Sequence, residues 1–143
     1  MKQLSQDNFE KFVRAYVHCG LWTTPGDGEG AAYLDADHDI ESMAPQAMIT
    51  VRALCQKFVD DNEEDIVAYM REMEHVRHRG EGTAIEWAGH DFLLSSNGHG
   101  AGFLDRPSEG LDATRAGRLQ FAAQAAKSMD FYVGDDGLVY VIG

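Results

Sequence analysis

The chain has 143 residues, 44% of them hydrophobic, with 12 basic against 24 acidic side chains and a net charge of −12. A length of this order fits one domain, and such a chain buries roughly two thirds of its unfolded surface, so it folds without disulfide or metal staples. The charge excludes ordinary binding to nucleic-acid phosphates, because repulsion replaces counterion release. No run of about 18 apolar residues marks a membrane span, and the charged opening MKQLSQDNFEKF is not a secretory leader.

The first element expected is a helix. Ser5 is a suitable N-cap, and Phe9, Phe12, Val13, Tyr16 and Val17 follow at helical spacing, with Gly20 as the stop. Residues 23–41 read as a long loop, broken by Pro25, Gly26, Gly28 and Gly30 and made acidic by Asp35, Asp37, Asp39 and Glu41. The triplet Asp35, Asp37, Asp39 opens like a calcium loop. Its sixth position is Ile40 and its twelfth Gln46, where such a loop needs glycine and a bidentate glutamate, so these acids are expected to be solvated.

Pro45 suits the first turn of a second helix, whose buried face is Met48, Val51, Leu54, Cys55, Phe58 and Val59. Asp60, Asp61 and Asn62 interrupt it, and the period resumes from Glu63 and Glu64 through Ile66, Tyr69, Met70, Met73 and Val76, closing on Arg77, His78 and Arg79. His75 and His78 are expected to act as helix-end cations. The methionines 43, 48, 70 and 73 read as core. Cys19 and Cys55 lie in apolar helical patterns and read as reduced core thiols, and with no export signal the expected compartment is the cytoplasm.

Thr83 and Glu86 form a capping-box pattern for a short helix that ends at Gly89. Two short strands, 90–95 and 101–105, are expected next, joined at Asn97-Gly98, a strong hairpin signal. Asp112 caps a fourth long helix through Leu119, Phe121, Ala125 and Met129. A second hairpin closes the chain, with Gly134-Asp135-Asp136-Gly137 turning between Phe131–Val133 and residues 138–142. The expected architecture is a single α+β domain over 1–143, its N-terminal helices packed on a small antiparallel sheet of two hairpins separated by a long helix.

The richest chemistry lies between Ala88 and Arg106, AGHDFLLSSNGHGAGFLDR. His90, Asp91, Asn97, His99 and Asp105 form a candidate small-ligand or metal site. Strand alternation, however, sends His90 and Asp91 to opposite faces, and no His-x-His or His-x3-His spacing occurs. A Ser-His-Asp set drawn from Ser95 or Ser96, His99 and Asp105 lacks the Gly-x-Ser-x-Gly elbow. No catalytic residue, metal or cofactor is therefore assigned.

The segments AGHDF, NGHGAGF-DR and YVGDDGLVY resemble a group of small acidic proteins of bacteriophages and other mobile elements. Leu93 and Leu104 stand where that pattern carries bulky aromatics, and a basic residue near Ser96 is missing. The resemblance thus implies no stacking site here. It implies a phage-type origin and action inside a bacterial host, and supplies no catalytic residue. The leading functional reading is a non-enzymatic accessory protein. Its acidic residues Asp35, Asp37, Asp39, Glu41, Asp60, Asp61, Glu63 and Glu64 would meet a basic surface on a host or phage protein, as in counter-defence or DNA mimicry. Neither direct nucleic-acid binding nor membrane association is expected. The alternative is an enzyme or ligand binder centred on the 90–105 residues.

Overall fold

A computed structural model describes residues 4–26, 32–74, 76, 82–98 and 102–143. Ser5 opens α1 (Gln6–Thr23) by accepting a hydrogen bond from the Asn8 backbone N–H at 3.1 Å. The helix runs through Gly20 instead of stopping there. A Cβ at Gly20 would lie 2.3 Å from the Phe131 ring, so glycine is present for close packing and not as a terminator. Leu21 is buried, whereas Trp22 is 53% exposed.

Pro45 begins α2 (Pro45–Asp61), and Asn62 ends it by donating from its side chain to the Phe58 carbonyl at 2.9 Å. The same residue starts α3 (Glu63–Met73), whose Ile66 N–H is held by the Asn62 carbonyl. The break expected between the two helices is present.

The central hairpin is not. Residues 90–95 belong to α4 (Ala84–Ser96), opened by the capping box of Thr83 and Glu86, and Phe103–Asp105 is one turn of 3-10 helix. Ile85, Ala88, Gly89, Phe92 and Leu93 fall at i, i+3, i+4, i+7 and i+8, and all are buried. Gly89 sits inside this helix because α1 crosses over it: a Cβ there would meet the Phe12 carbonyl oxygen at 2.4 Å and the Ala15 methyl at 3.0 Å. Asn97-Gly98 ends the helix rather than turning a hairpin, with Gly98 at φ +72° in the left-handed region that helix ends favour.

Asp112 caps α5 (Ala113–Ala125), which stops short of Met129. Strands β1 (Asp130–Val133) and β2 (Val139–Ile142) pair antiparallel, with Phe131 opposite Val141. Gly137 takes φ +83° in their turn, and the Met43–Ala44 segment docks beside β2 through the Ala44 N–H to the Val139 carbonyl at 2.8 Å. The fold is α+β, mostly helical, with one hairpin among the described residues.

Helix α4 packs against α1, α3 and α5. The core around it is aromatic: Phe58 stacks on Phe92 at 4.0 Å between ring centroids, Tyr16 lies at 5.3 Å from Phe92, and Tyr69 meets Phe103 edge-on at 5.8 Å. Met43 and Met73 are buried, and Met48 and Met70 pack against the same cluster. Cys19 and Cys55 are free thiols in it, and burial pushes both up, Cys19 to about 12. No helix among the described residues is long and apolar enough to cross a membrane.

Candidate functional site

The acidic loop is anchored from beneath. Leu34 is buried within a 3-10 turn (Leu34–Ala36) that packs on α1, and the Leu34 N–H donates to the Thr24 carbonyl at 2.9 Å. With the apolar residue pinned inward, Asp35, Asp37, Asp39 and Glu41 project to solvent, all four exposed. Asp39 also works locally: its carboxylate accepts from the Glu41 N–H at 2.9 Å, while the Ser42 hydroxyl accepts from the Asp39 N–H at 3.2 Å. Asp39 thus caps a short helical turn. Among the described residues, no group of three or more His, Cys, Asp or Glu side chains is placed to hold a metal.

The second acidic group surrounds the α2–α3 corner. Asp60 and Asp61 end α2, where Asp61 takes Lys57 at 2.7 Å and Asp60 accepts from the Gln56 amide at 2.8 Å. Glu63 accepts from the Leu4 N–H at 3.2 Å, and Glu64 is exposed on the first turn of α3, where the helix dipole favours negative charge. Both acids line a groove of about 570 Å³ together with Arg71 of the same helix and Arg115 and Arg118 of α5. Arg118 grips Asp65 through two hydrogen bonds at 2.7 and 2.9 Å, which hold the Asp65 carboxyl below the usual carboxylate range, and Arg115 pairs with Glu72.

The five residues of the alternative site are not brought together. Asp91 is fully buried. Arg106 closes on it with two parallel hydrogen bonds, Nε to Oδ2 at 2.9 Å and Nη2 to Oδ1 at 2.8 Å, and the Tyr69 hydroxyl donates to Oδ2 at 2.6 Å. The guanidinium also holds Glu109 at 3.0 Å and lies 5.2 Å from the centre of the Trp87 ring. Burial holds the Asp91 carboxyl above its ordinary value, with the Arg106 and Tyr69 hydrogen bonds pulling it back down. Ser95, one turn further along α4, accepts from the Phe103 N–H at 3.3 Å and donates to Gln120 at 2.7 Å. Gly102 passes over it at φ +125°, where a Cβ would stand 2.1 Å from the Ser95 oxygen. Asn97 pins the chain before β1, donating to the Met129 carbonyl at 3.0 Å and accepting from its N–H at 3.3 Å. Asp105 is exposed and caps the Gly102 N–H. His75, His78 and His99 lie outside the described residues.

His90 faces another way. It is half-buried in a groove of about 260 Å³ lined also by Arg14, His18, Asp39 and Glu86, with its ring 6.0 Å from that of His18. Burial, then the charges of His18 and Arg106, lower its pKa to about 4. The groove thus joins one residue from each of the two sets read from the sequence, Asp39 and His90. Arg106, Glu109 and Trp87 were not singled out from the sequence, and Tyr69 was read only as part of the apolar period of α3. The signal for Arg106 was its place in the same polar stretch, Ala88 to Arg106, as Asp91, and a helical reading of 84–96 would have set Asp91 and Ser95 on one side, facing the following loop.

Compared with known proteins, the chain matches no family model, no curated protein and no solved structure.

Proposed function

We propose that this protein acts by non-enzymatic binding, presenting its acidic surface to the basic face of a partner macromolecule. One observation carries the reading. Exposed Asp35, Asp37, Asp39, Glu41 and Glu64 form no ion pair with a basic side chain among the described residues. Arg52, Arg106, Arg115 and Arg118 are all drawn into ion pairs with the protein's own carboxylates. These exposed acids thus keep their charge unneutralised by a basic side chain among the described residues, which favours association with a positive surface. The polar residues of 90–105 support this choice over a ligand site, since Asp91, Ser95 and Asn97 are engaged in holding the fold.

The resemblance of AGHDF, NGHGAGF-DR and YVGDDGLVY to phage and mobile-element proteins implies a partner in a bacterial host. A DNA-binding or defence protein supplies the required chemistry, because its phosphate-binding face is basic and an acidic protein occupies it as a DNA mimic. The test compares wild type with the variant Asp35→Asn/Asp37→Asn/Glu41→Gln/Glu64→Gln in affinity capture from host lysate at low and high salt, then in association kinetics with each captured protein. Slower association and a flatter salt dependence in the variant support the reading. Unchanged kinetics and unchanged salt dependence for every partner refute it.

A further inference from the structure

The groove around His90 is built from three separate elements. Helix α1 contributes Arg14 and His18, one turn apart, and α4 contributes Glu86 and His90, also one turn apart. The 3-10 turn Ile40–Ser42, packed on α1, contributes Ile40 and its cap Asp39. Opposite charges share this groove without closing on each other. No ion pair links Arg14 to Asp39 or Glu86, in contrast with the closed pairs of Arg106 with Asp91 and Arg118 with Asp65. The two carboxylates are nevertheless held in place. Asp39 Oδ1 accepts from the Glu41 N–H, and Glu86 Oε1 accepts from the N–H and the hydroxyl of Thr83 at 2.9 and 2.8 Å, which leaves Glu86 Oε2 without a hydrogen bond among the described residues. The imidazoles of His18 and His90, 6.0 Å apart between ring centres, make no hydrogen bond among the described residues either. His90 is half-buried and neutral near pH 7, so it presents one donor and one acceptor nitrogen. A polar group that burial shields from water and no neighbour satisfies calls for a partner.

We propose that this groove binds a small zwitterion of amino-acid or dipeptide size, its carboxylate on Arg14 and its ammonium group on Asp39 and Glu86. A ligand of one sign meets like charge somewhere in the groove, whereas a molecule carrying both signs finds a complement for each. The groove, about 260 Å³, lies just below the roughly 300–1,000 Å³ of most small-molecule sites, which suits a ligand of about ten heavy atoms. Ile40 supplies an apolar wall for an aliphatic side chain, and His90 can hydrogen-bond either end of the ligand. Carboxylates already fixed by their caps lose little freedom on binding, but Arg14 and Asp39 are exposed, so the affinity is modest, with a Kd of roughly 1 mM. The site is independent of the acidic surface proposed above. Asp39 is the one residue common to both, and Asp35, Asp37, Glu41 and Glu64 do not line the groove.

The test is an NMR titration of the full chain at neutral pH and constant ionic strength, following the ring protons of His18 and His90 and the amides of α1 and α4. The zwitterionic probes are L-leucine and glycylglycine, which differ in the separation of their charges; N-acetyl-L-leucine lacks the cation and L-leucinamide lacks the anion. Saturable shifts at both imidazoles are expected with at least one zwitterion, and a loss of affinity of roughly tenfold or more with each singly charged analogue. Arg14→Gln, at an exposed position, and Glu86→Gln, whose amide oxygen still accepts from Thr83, are expected to weaken binding to the same extent with their amide spectra otherwise preserved. The variant Asp35→Asn/Asp37→Asn/Glu41→Gln/Glu64→Gln is expected to keep it, so this proposal and the preceding one fail separately. No saturable shift with either zwitterion, an equal response to the singly charged analogues, or an affinity indifferent to both Arg14→Gln and Glu86→Gln overturns the proposal.

Discussion

Replacing Arg106 with methionine tests whether the Asp91 cluster holds the fold. The methionine keeps an unbranched stem beside Trp87 and removes the charge and its donors. In the native protein Asp91 is fully buried and Arg106 only 6% exposed, so neither charge has water to fall back on. The substitution deletes both parallel hydrogen bonds to Asp91 and leaves the carboxylate with the Tyr69 hydroxyl alone. Breaking a buried pair from one side costs about 3–5 kcal/mol, chiefly the stranded charge. At about 2–4 °C per kcal/mol for a chain near this size, the thermal midpoint should fall by roughly 10 °C. The pH dependence gives a second readout. Without the guanidinium, the pKa of Asp91 rises further above that of the unfolded chain, so the folded variant takes up a proton that the unfolded chain does not. Its stability then increases as pH falls, and the deficit relative to wild type narrows in acid. Urea unfolding followed by the fluorescence of Trp22 and Trp87 measures both. The double variant Asp91→Leu/Arg106→Met should lose less than the two single losses added together, since it strands no charge. A loss below about 1 kcal/mol for Arg106→Met, or a deficit that widens in acid, would refute the reasoning.

Three further outcomes are expected. Gly89→Ala drives a methyl into the Phe12 carbonyl and forces α1 off α4, so it should destabilise by about 1–3 kcal/mol despite the better helix propensity of alanine; Gly117→Ala gains the same propensity without a clash and should have the opposite sign, both read by thermal melts. His90, its pKa depressed to about 4, should show that midpoint in an NMR titration of its ring protons. Because the folded value lies below the unfolded one near 6.5, the neutral imidazole contributes stability present above that pH and lost as pH falls toward 4, on the order of 2–3 kcal/mol. His90→Leu should remove that acid-side loss. Asn97→Ala cuts both bonds to the Met129 backbone and should loosen the β1–β2 hairpin, seen as faster amide exchange at Phe131 and Val141 with little change in the helices.

Where local chemistry decides an element, the sequence shows it. Ser5, Pro45, Asn62 and Asp112 bound helices as their capping chemistry requires, and Gly134–Gly137 turns the closing hairpin. The acids at 35–41 are legible as exposed because only Ala36 and Ile40 among them are apolar, too few to form a buried face. Misreading begins where a residue serves a distant neighbour. Gly20 and Gly89 look like helix ends in isolation, but each is fixed by a body more than 70 residues away in the chain, the Phe131 ring and the Phe12 backbone. Asn97-Gly98 has one local conformational demand, tolerance of positive φ, which a hairpin turn and a helix C-terminus satisfy equally. Once Gly89 is taken as a stop, HDFLLS shows enough alternation to pass for a strand, and the partnership of Asp91 with Arg106 disappears from view.

That partnership also bears on function. A stretch with two histidines, two aspartates and an arginine invites a catalytic reading, yet chemistry of that kind needs groups with unfilled valence directed at a shared space. Asp91 has its two oxygens occupied by three donors, Asn97 is matched donor for acceptor with a backbone amide, and His90 opens into a different groove from either. Satisfied groups hold structure, and unsatisfied charge engages partners. By that criterion the acids of 35–41, fixed from below by Leu34 and without an ion pair to a basic side chain among the described residues, are in keeping with the proposed engagement of a basic surface.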